Sequence, residues 1–327
     1  MKQKIFLFLA LALLLFIAGC TQQNLSAEDS ISADENLIKI GVSQIGAESD
    51  WRVANSESIK TVFTEARGYH LLFDDARQKQ ENQITAIRKF IQQQVDYIVL
   101  MPIQETGWDS VLLEAKQAHI PVILVDRMIA VEDESLYASH VGSDFLWEGE
   151  QAVEWMRLKE KELNIVQIQG TQDSTAQLGR TQALEKAVEE ENWNLLVQLD
   201  GDFTQAKTYE VMGDYLSQAE RPEIDIVYCE NDNEAFGAIQ ALEEYGYTCG
   251  KDGVDVISFD ATRQGLKLCL EGKISLIVEC QPLLGPLVEE VIQCLEAGCV
   301  PEQHYYADEE VFMPNRLTRG IISRREY

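Results

Sequence analysis

From residue 37 onward, short apolar runs alternate with longer segments in which apolar residues recur at helical spacing. In the first half of the chain the runs lie at 38–43, 69–74, 96–101 and 122–126, and predicted helices lie at about 51–67, 79–94 and 108–118. The runs are apolar almost without interruption, as in strands that are covered on both faces. Strands that alternate with helices in this way predict an α/β fold with a doubly wound parallel sheet.

The second half of the chain repeats this pattern after an extended segment near 136–141. Strands are predicted at 164–169, 195–199, 225–229, 254–260 and 274–279. Helices are predicted at 146–158, 175–191, 204–218, 233–245, 262–271 and 283–297. Two successive sets of strands and helices predict two lobes, with a ligand cleft at the carboxyl ends of their strands.

The two lobes should be joined by a hinge of three chain crossings, near 141–144, 281–282 and 306–312. We expect residues 37–141 plus 282–308 to form the N-terminal lobe. Residues 142–281 plus 309–327 would then form the C-terminal lobe. Rotation about the crossings would open and close the cleft around a ligand.

The first twenty residues are organised like a bacterial lipoprotein signal peptide. Two lysines precede an apolar run at 5–18 that ends in Gly19-Cys20. The run is too short to span a bilayer, and its end resembles a lipobox, in which cleavage leaves a lipidated Cys20 at the new N-terminus. An ordinary secretory signal is the alternative. Residues 21–36 are polar and acidic, which predicts a flexible linker between a membrane anchor and an extracytoplasmic protein.

Net charge limits the partners that the protein could bind, and the cysteine pattern limits the covalent links and metal sites that it could contain. The net charge of −28 would repel nucleic acid and anionic lipid headgroups, so we expect no nucleic-acid partner. The other six cysteines all lie between Cys229 and Cys299, without a CxxC motif and without histidines at metal-binding spacing. In an exported protein they are compatible with one or two disulfides or with buried thiols. We predict no metal site and no cofactor.

Polar residues follow the predicted strands at the edge where a ligand would bind. They are residues 43–52 (SQIGAESDWR), Asp126, Arg127, Asn231, Asp260 and residues 279–281. Carboxylate and guanidinium groups can each form two hydrogen bonds with neighbouring hydroxyls, and an indole ring can cover the C–H face of a sugar. This combination predicts a small polyhydroxylated ligand.

Several motifs, in their order and spacing, resemble the ribose and galactose type of periplasmic sugar-binding proteins of ABC importers. They are VDR at 125–127, QGT at 169–171 followed by Arg180, END at 230–232 followed by AFGAIQAL, and SFD at 258–260. GVSQIGAESDWR, RQKQENQITAIRKF, TGW at 106–108 and GDFTQAK at 201–207 resemble the galactofuranose-binding branch of this family. The resemblance extends over the chain beyond residue 37 and implies the type I periplasmic binding protein fold.

The resemblance also implies the ligand, its contacts and its partners. Ligand contacts are implied at Glu48, Ser49, Asp50, Trp51, Arg52, Asp126, Arg127, Arg180, Asn231, Asp260 and Glu279. The implied ligand is a monosaccharide, either galactofuranose or a galactose-like sugar. The implied partners are an ABC permease and its ATPase, and we expect the binding protein itself to be a monomer.

Three of these residues also have purely structural interpretations. Trp51 is suited to a buried position at the start of a helix. Asn231 is a favourable N-cap for the helix that follows it. Arg180 could pair on the surface with Glu185, one helical turn further along the chain.

The sequence favours a binding protein over an enzyme. It lacks GxSxG, Walker, GxGxxG and HExxH motifs. Asp126 and Asp260 could form a glycosidase pair, but neighbouring arginines and amides should keep both ionised, which leaves no general acid. A sugar-sensing accessory protein, which presents its closed form to a membrane histidine kinase or chemoreceptor, is the alternative to import.

Overall fold

The computed structural model describes residues 37–218 and 222–327. The predicted signal peptide at 1–20, its lipidation site Cys20 and the predicted linker at 21–36 lie outside the described residues. Within the two described ranges, no helix combines the length and the apolar character that crossing a membrane requires.

The first sheet contains six strands in the order β11-β5-β4-β3-β1-β2. The strands are β1 (Ile38–Gln44), β2 (Tyr69–Asp75), β3 (Tyr97–Leu100), β4 (Val122–Val125), β5 (Ser139–Gly142) and β11 (His304–Tyr306). Its helices are α1 (Asp50–Val62), α2 (Gln80–Gln92), α3 (Asp109–Gln117) and α9 (Gly285–Glu296). β1, β3, β4, β5 and β11 pair in parallel register, and apolar side chains of α2 and α3 pack against β3 and β4.

The second sheet also contains six strands, in the order β12-β10-β9-β8-β6-β7. The strands are β6 (Asn164–Gln169), β7 (Asn194–Asp200), β8 (Ile226–Cys229), β9 (Asp255–Asp260), β10 (Leu276–Glu279) and β12 (Val311–Phe312). Its helices are α4 (Phe145–Arg157), α5 (Thr175–Glu191), α6 (Gln205–Leu216), α7 (Asp232–Glu244), α8 (Arg263–Leu270) and α10 (Arg319–Arg324). β12 is antiparallel to β10, whereas the other pairs are parallel. The predicted pair of doubly wound α/β lobes is confirmed.

The chain passes between the two sheets at three places, after β5, after β10 and between β11 and β12. We propose lobe boundaries that follow these crossings, with 37–141 plus 282–308 in the first lobe and 142–281 plus 309–327 in the second. The strand composition of each sheet supports this division. Each crossing is a short stretch of chain, as a hinge requires.

The predicted helix at 51–67 is shorter in the structure. It ends at Val62, and a separate single turn of 3₁₀ helix covers Glu65–Arg67. Phe63 leaves the helical path, and its ring packs edge-on against Tyr69 at 5.0 Å between centroids. Burial of this aromatic pair therefore takes precedence over continuation of the helix.

The cysteines include both a disulfide and buried thiols, the two states that the sequence allowed. Cys294 and Cys299 form a disulfide at the end of α9, with 5.2 Å between their Cα atoms. Four cysteines within 37–218 and 222–327 are free thiols, namely Cys229, Cys249, Cys269 and Cys280. All but Cys249 are buried, where a thiol behaves as a small apolar group.

Close packing of α2 on β1 makes Gly41 sensitive to substitution. A Cβ atom at Gly41 would lie 2.5–2.9 Å from three ring atoms of Phe90, whose side chain is buried. We expect Gly41→Ala to lower the free energy of unfolding by about 1–3 kcal/mol, because the added Cβ would force the buried ring to shift. Urea unfolding of the purified protein measures the change.

Gly213→Ala is the matched control, because Gly213 lies within α6. No heavy atom of the described residues outside its chain neighbours and own helix backbone lies within 4 Å of an added Cβ there. Alanine should therefore stabilise this helix by about 0.5–1 kcal/mol. Equal effects of the two substitutions would contradict the proposed packing constraint.

Candidate functional site

A buried cavity lies where strands of both sheets reach their carboxyl ends. Its free volume is small, about 20 Å³. Its walls are formed by Glu48, Ser49, Trp51, Arg52, Asp126, Arg127, Phe145, Ala176, Arg180, Phe203, Asn231, Asp260 and Cys280. Nine of the eleven residues that the sequence predicted for the site belong to this set.

The start of α1 places two of these side chains in the cavity wall. Ser49 is the N-cap of the helix, and its side chain accepts a hydrogen bond from the backbone N–H of Arg52 at 3.2 Å. Trp51 and Arg52 therefore lie in the first turn of the helix and are buried. The Trp51 Nε1–H donates to the backbone oxygen of Cys280 at 2.7 Å, so Trp51 is both a buried residue and part of the cavity wall.

Four charged side chains of the first lobe form one buried network. Arg52 Nη2 lies 2.6 Å from Asp126 Oδ2 and 3.2 Å from Glu48 Oε1. Arg127 Nη2 contacts the same Glu48 oxygen at 2.8 Å. Burial alone would lower the pKa of Arg52, but the two carboxylates raise it overall, whereas burial lowers the pKa of Arg127. Two cations and two anions balance each other in this part of the wall.

Asp126 and Asp260 lie at strand ends in the left-handed backbone region, with φ of 68° and 94°. This conformation is strained for residues other than glycine, although Asp tolerates it better than most. Around Asp126, the backbone N–H donates to Val141 O at 2.9 Å, and the His140 ring contacts the Asp126 carbonyl through Nε2 at 2.8 Å. Burial lowers the pKa of His140 to about 4, so the ring is neutral at pH 7 and Nε2 carries the hydrogen.

Arg180 is the central charge of the second lobe. It is buried, and its Nε lies 2.7 Å from Glu148 Oε2. Its Nη1 donates to the backbone oxygen of Glu230. The predicted surface pair with Glu185 is wrong, because the Arg180 side chain turns inward while Glu185 accepts a hydrogen bond from Gln198. Burial alone would lower the pKa of Arg180, but the Glu148 carboxylate raises it overall.

Asn231 has a structural contact and also lines the cavity. Its side chain accepts from the backbone N–H of Glu234 at 2.8 Å, and the Glu234 carboxylate accepts from the backbone N–H of Asn231 at 3.1 Å, which completes a capping box. Its Nδ2 donates to the backbone oxygen of Phe203 at 3.1 Å. The predicted N-cap is confirmed, and the same side chain lies in the cavity wall.

Three polar atoms of the cavity residues have no hydrogen-bond partner within the described parts of the chain. They are Arg52 Nη1, Arg127 Nε and Asp260 Oδ2, and all three are buried. An unpaired buried polar atom is costly, so such atoms in a cavity wall indicate where a ligand would bind. Burial, together with the nearby Asp232 carboxylate, raises the pKa of Asp260 well above its usual value.

Two predicted site residues lie outside the cavity wall. Asp50 is exposed. The Glu279 carboxylate instead binds the C-terminal segment, where it contacts Arg325 and accepts from the Tyr327 hydroxyl at 2.9 Å. Four wall residues were not predicted, namely Phe145, Ala176, Phe203 and Cys280. Their positions just after a strand or at a helix start were the available signal.

A group of possible metal ligands lies beside the cavity, at the hinge. Donor atoms of Glu148, Cys280 and Glu309 lie within 4.8 Å of one another. Glu148 is already paired with Arg180. Glu309 Oε1 accepts from the Ser143 hydroxyl at 2.5 Å and from the backbone N–H of Gln281 at 2.9 Å. These contacts explain the positions of the two carboxylates without a bound ion.

Glu309 connects the three crossings of the hinge. Ser143 follows β5, Gln281 follows β10, and Glu309 itself lies between β11 and β12. Its carboxyl group thus bonds to both of the other crossings. Burial, together with the neighbouring Glu148 carboxylate, raises the pKa of Glu309 to about 9.

Comparisons with known proteins agree on one family. A family profile described as periplasmic binding protein domain matches residues 40–286. The galactofuranose-binding protein of Escherichia coli (strain K12) is 36% identical over 293 residues, which are 88% of this chain and 92% of that protein.

Two solved structures are also similar to the chain. The periplasmic binding protein component of an arabinose ABC transporter from Shewanella sp. ANA-3, bound to α- and β-L-arabinofuranose, is 35% identical with a TM-score of 0.81 and covers 88% of this chain and 99% of that one. A Mycobacterium smegmatis protein in complex with β-D-fucofuranose is 38% identical with a TM-score of 0.81 and covers 85% of this chain and 92% of that one.

The raised pKa of Glu309 predicts a pH-dependent stability. Below about pH 4 the carboxyl group is protonated in both the folded and the unfolded chain. As the pH rises towards 9, the unfolded chain loses this proton while the folded chain retains it, so the folded state becomes progressively less stable. Glu309→Gln cannot titrate and keeps an oxygen acceptor for Ser143 and Gln281.

We therefore expect the stability of Glu309→Gln, relative to the unchanged protein, to increase from about pH 5 to about pH 8.5. Urea unfolding at a series of pH values measures this difference. Glu302→Gln, at an exposed position on the preceding segment, is the control and should follow the unchanged protein. Parallel stability curves for Glu309→Gln and the unchanged protein would contradict the assignment.

Proposed function

The chain belongs to the periplasmic binding protein domain family, and we propose that it binds a monosaccharide in furanose form, such as galactofuranose, for an ABC importer. It has the type I periplasmic binding protein fold that the resemblance implied. Its relatives are sugar-binding proteins of a non-enzymatic family, and this chain is a binding protein rather than an enzyme. The observation that carries the proposal is the set of unpaired buried atoms in the cavity wall.

The cavity walls close tightly around a small space. Its free volume of about 20 Å³ has room for about one water molecule, so the lobes must move apart to admit a sugar ring. A hexose has about twelve heavy atoms, so micromolar binding needs roughly −0.7 kcal/mol per atom. That efficiency requires hydrogen bonds to most of the hydroxyl groups, and the polar wall supplies the partners.

The polarity of the wall favours a neutral polyol. Arg52 Nη1 and Arg127 Nε are unpaired donors, and Asp260 Oδ2 is an unpaired oxygen. A sugar hydroxyl can accept from a guanidinium and donate to a carboxylate at the same time. The arginines are already paired with Glu48, Asp126 and Glu148, so the site has no large excess of positive charge for an anionic ligand.

Aromatic side chains complete the recognition surface. Trp51, Phe145 and Phe203 line the same cavity as the polar groups. The C–H faces of a sugar ring are apolar and pack well on aromatic rings. Polar contacts at the edge of the ring and aromatic contacts on its faces together suit a monosaccharide.

The names of the relatives support the furanose form. Galactofuranose, arabinofuranose and fucofuranose are all five-membered rings. An arabinose ABC transporter component among them favours import over the sensing alternative. We further propose that lipidated Cys20 anchors the protein outside the cytoplasm. There it would act as a monomer that delivers its sugar to the permease and ATPase.

A thermal-shift screen of the purified protein tests the ligand. L-Arabinose, D-fucose, D-galactose and a source of galactofuranose should each raise the melting temperature, whereas D-glucose, which forms little furanose, should not. Ligand at about 100 times its Kd should stabilise the folded state by about 2.7 kcal/mol. No shift with any monosaccharide would contradict the proposed function.

Asp260→Asn tests the proposed contact at this site. Asn fits the left-handed backbone at this position, so the fold should tolerate the change. Asparagine replaces one carboxyl oxygen with an NH₂ group, so loss of the hydrogen bond at this oxygen should weaken sugar binding by about 10- to 100-fold in calorimetry. Asp252→Asn is the control at an exposed position and should bind normally. Unchanged affinity in Asp260→Asn would place the ligand elsewhere.

A further inference from the structure

We propose that two direct hydrogen bonds between the lobes act as a latch that sets how long the ligand stays bound. The backbone N–H of Asp50 donates to Asn233 Oδ1 at 3.1 Å, and the backbone N–H of Met128 donates to Thr175 Oγ1 at 2.9 Å. These two bonds are called the latch here. The proposal rests on the proposed binding function and concerns residues that do not line the cavity.

The latch joins the two lobes beside the cavity on two sides. Each bond is adjacent in sequence to wall residues, since Asp50 lies between Ser49 and Trp51, and Met128 follows Arg127. Both acceptors belong to the second lobe, with Thr175 at the start of α5 and Asn233 in the first turn of α7. The bond to Asn233 is exposed to solvent, so it lies at the outer edge of the site.

The chemistry of the latch makes it specific to the closed arrangement. Both donors are backbone groups of the first lobe, and Asp50 is the first residue of α1, whose N–H has no partner within its own helix. Both acceptors are side chains of the second lobe. When the lobes separate, all four groups exchange the bond for water, so the bonds favour the closed form only.

The latch is distinct from the contacts at the hinge. Trp51 Nε1 and Asn55 Nδ2 donate to the backbone oxygens of Cys280 and Pro282, which lie on the crossing after β10. Neither latch bond involves a residue of a crossing. Removal of a latch bond should therefore change the balance between open and closed forms without disturbing the hinge.

The expected loss of affinity follows from the net free energy that one hydrogen bond contributes. Loss of either bond should weaken ligand binding by about 2- to 10-fold, and loss of both should approach the product of the two effects because the sites are separate. The change should appear in the dissociation rate, since the cavity contacts and the open form are unaltered.

Thr175→Val and Thr175→Ser form the matched pair that tests one latch bond. Valine keeps the shape of the side chain and removes the acceptor, whereas serine keeps the hydroxyl. Asn233→Ala tests the second bond, with Gln240→Ala at an exposed position of the same helix as its control. Urea unfolding of each variant without ligand should remain a single cooperative transition with a midpoint close to that of the unchanged protein, which separates loss of the latch from local damage.

Two measurements decide the proposal. In stopped-flow kinetics with a sugar that binds, Thr175→Val and Asn233→Ala should each release it about 2- to 10-fold faster, while Thr175→Ser and Gln240→Ala should not change the rate. In small-angle X-ray scattering without ligand, the Thr175→Val/Asn233→Ala double variant should have a larger radius of gyration than the unchanged protein, because fewer molecules are closed.

The scattering result remains informative if no monosaccharide binds. In that case the proposed function fails, and an increased radius in the double variant would still support the latch. Equal radii would overturn the latch whether or not a sugar binds. Equal release rates for Thr175→Val and Thr175→Ser would overturn the role of the Met128–Thr175 bond.

Discussion

The buried ion pair between Arg180 and Glu148 links the ligand cavity to the hinge, and much of the site depends on it. Arg180 lines the cavity, while Glu148 lies beside Cys280 and Glu309 at the crossings between the lobes. Both side chains are buried, so each charge compensates the other in the interior. Removal of one partner would leave an uncompensated buried charge next to both the ligand and the hinge.

Buried charges also compensate each other in the opposite wall of the cavity. Glu48 and Asp126 compensate Arg52 and Arg127, which leaves specific atoms of the arginines unpaired rather than whole side chains. A preformed network of this kind holds hydrogen-bond groups in fixed directions before a ligand arrives. Less conformational entropy is then lost on binding, which favours affinity for a small ligand with few atoms.

Much of the architecture could be predicted because the strands are buried on both faces. Their apolar runs stand out from the amphipathic helices, and the site residues follow directly after them. The errors have local causes. In β10 and the residue that follows it, consecutive side chains point in opposite directions, so Cys280 faces the cavity while the neighbouring Glu279 faces the C-terminal segment. Phe203 reaches the cavity from a left-handed turn that no periodic pattern indicates.

By itself, the sequence determined the alternation of strands and helices, the two lobes and the polar character of the strand ends, because these properties depend on neighbouring residues. The tertiary structure decided which charges meet. Glu148 rather than Glu185 pairs with Arg180, burial and Asp232 together raise the pKa of Asp260, and Glu309 joins the crossings of the hinge. These contacts join different elements of the fold, so only the packing of the elements sets the distances on which they depend.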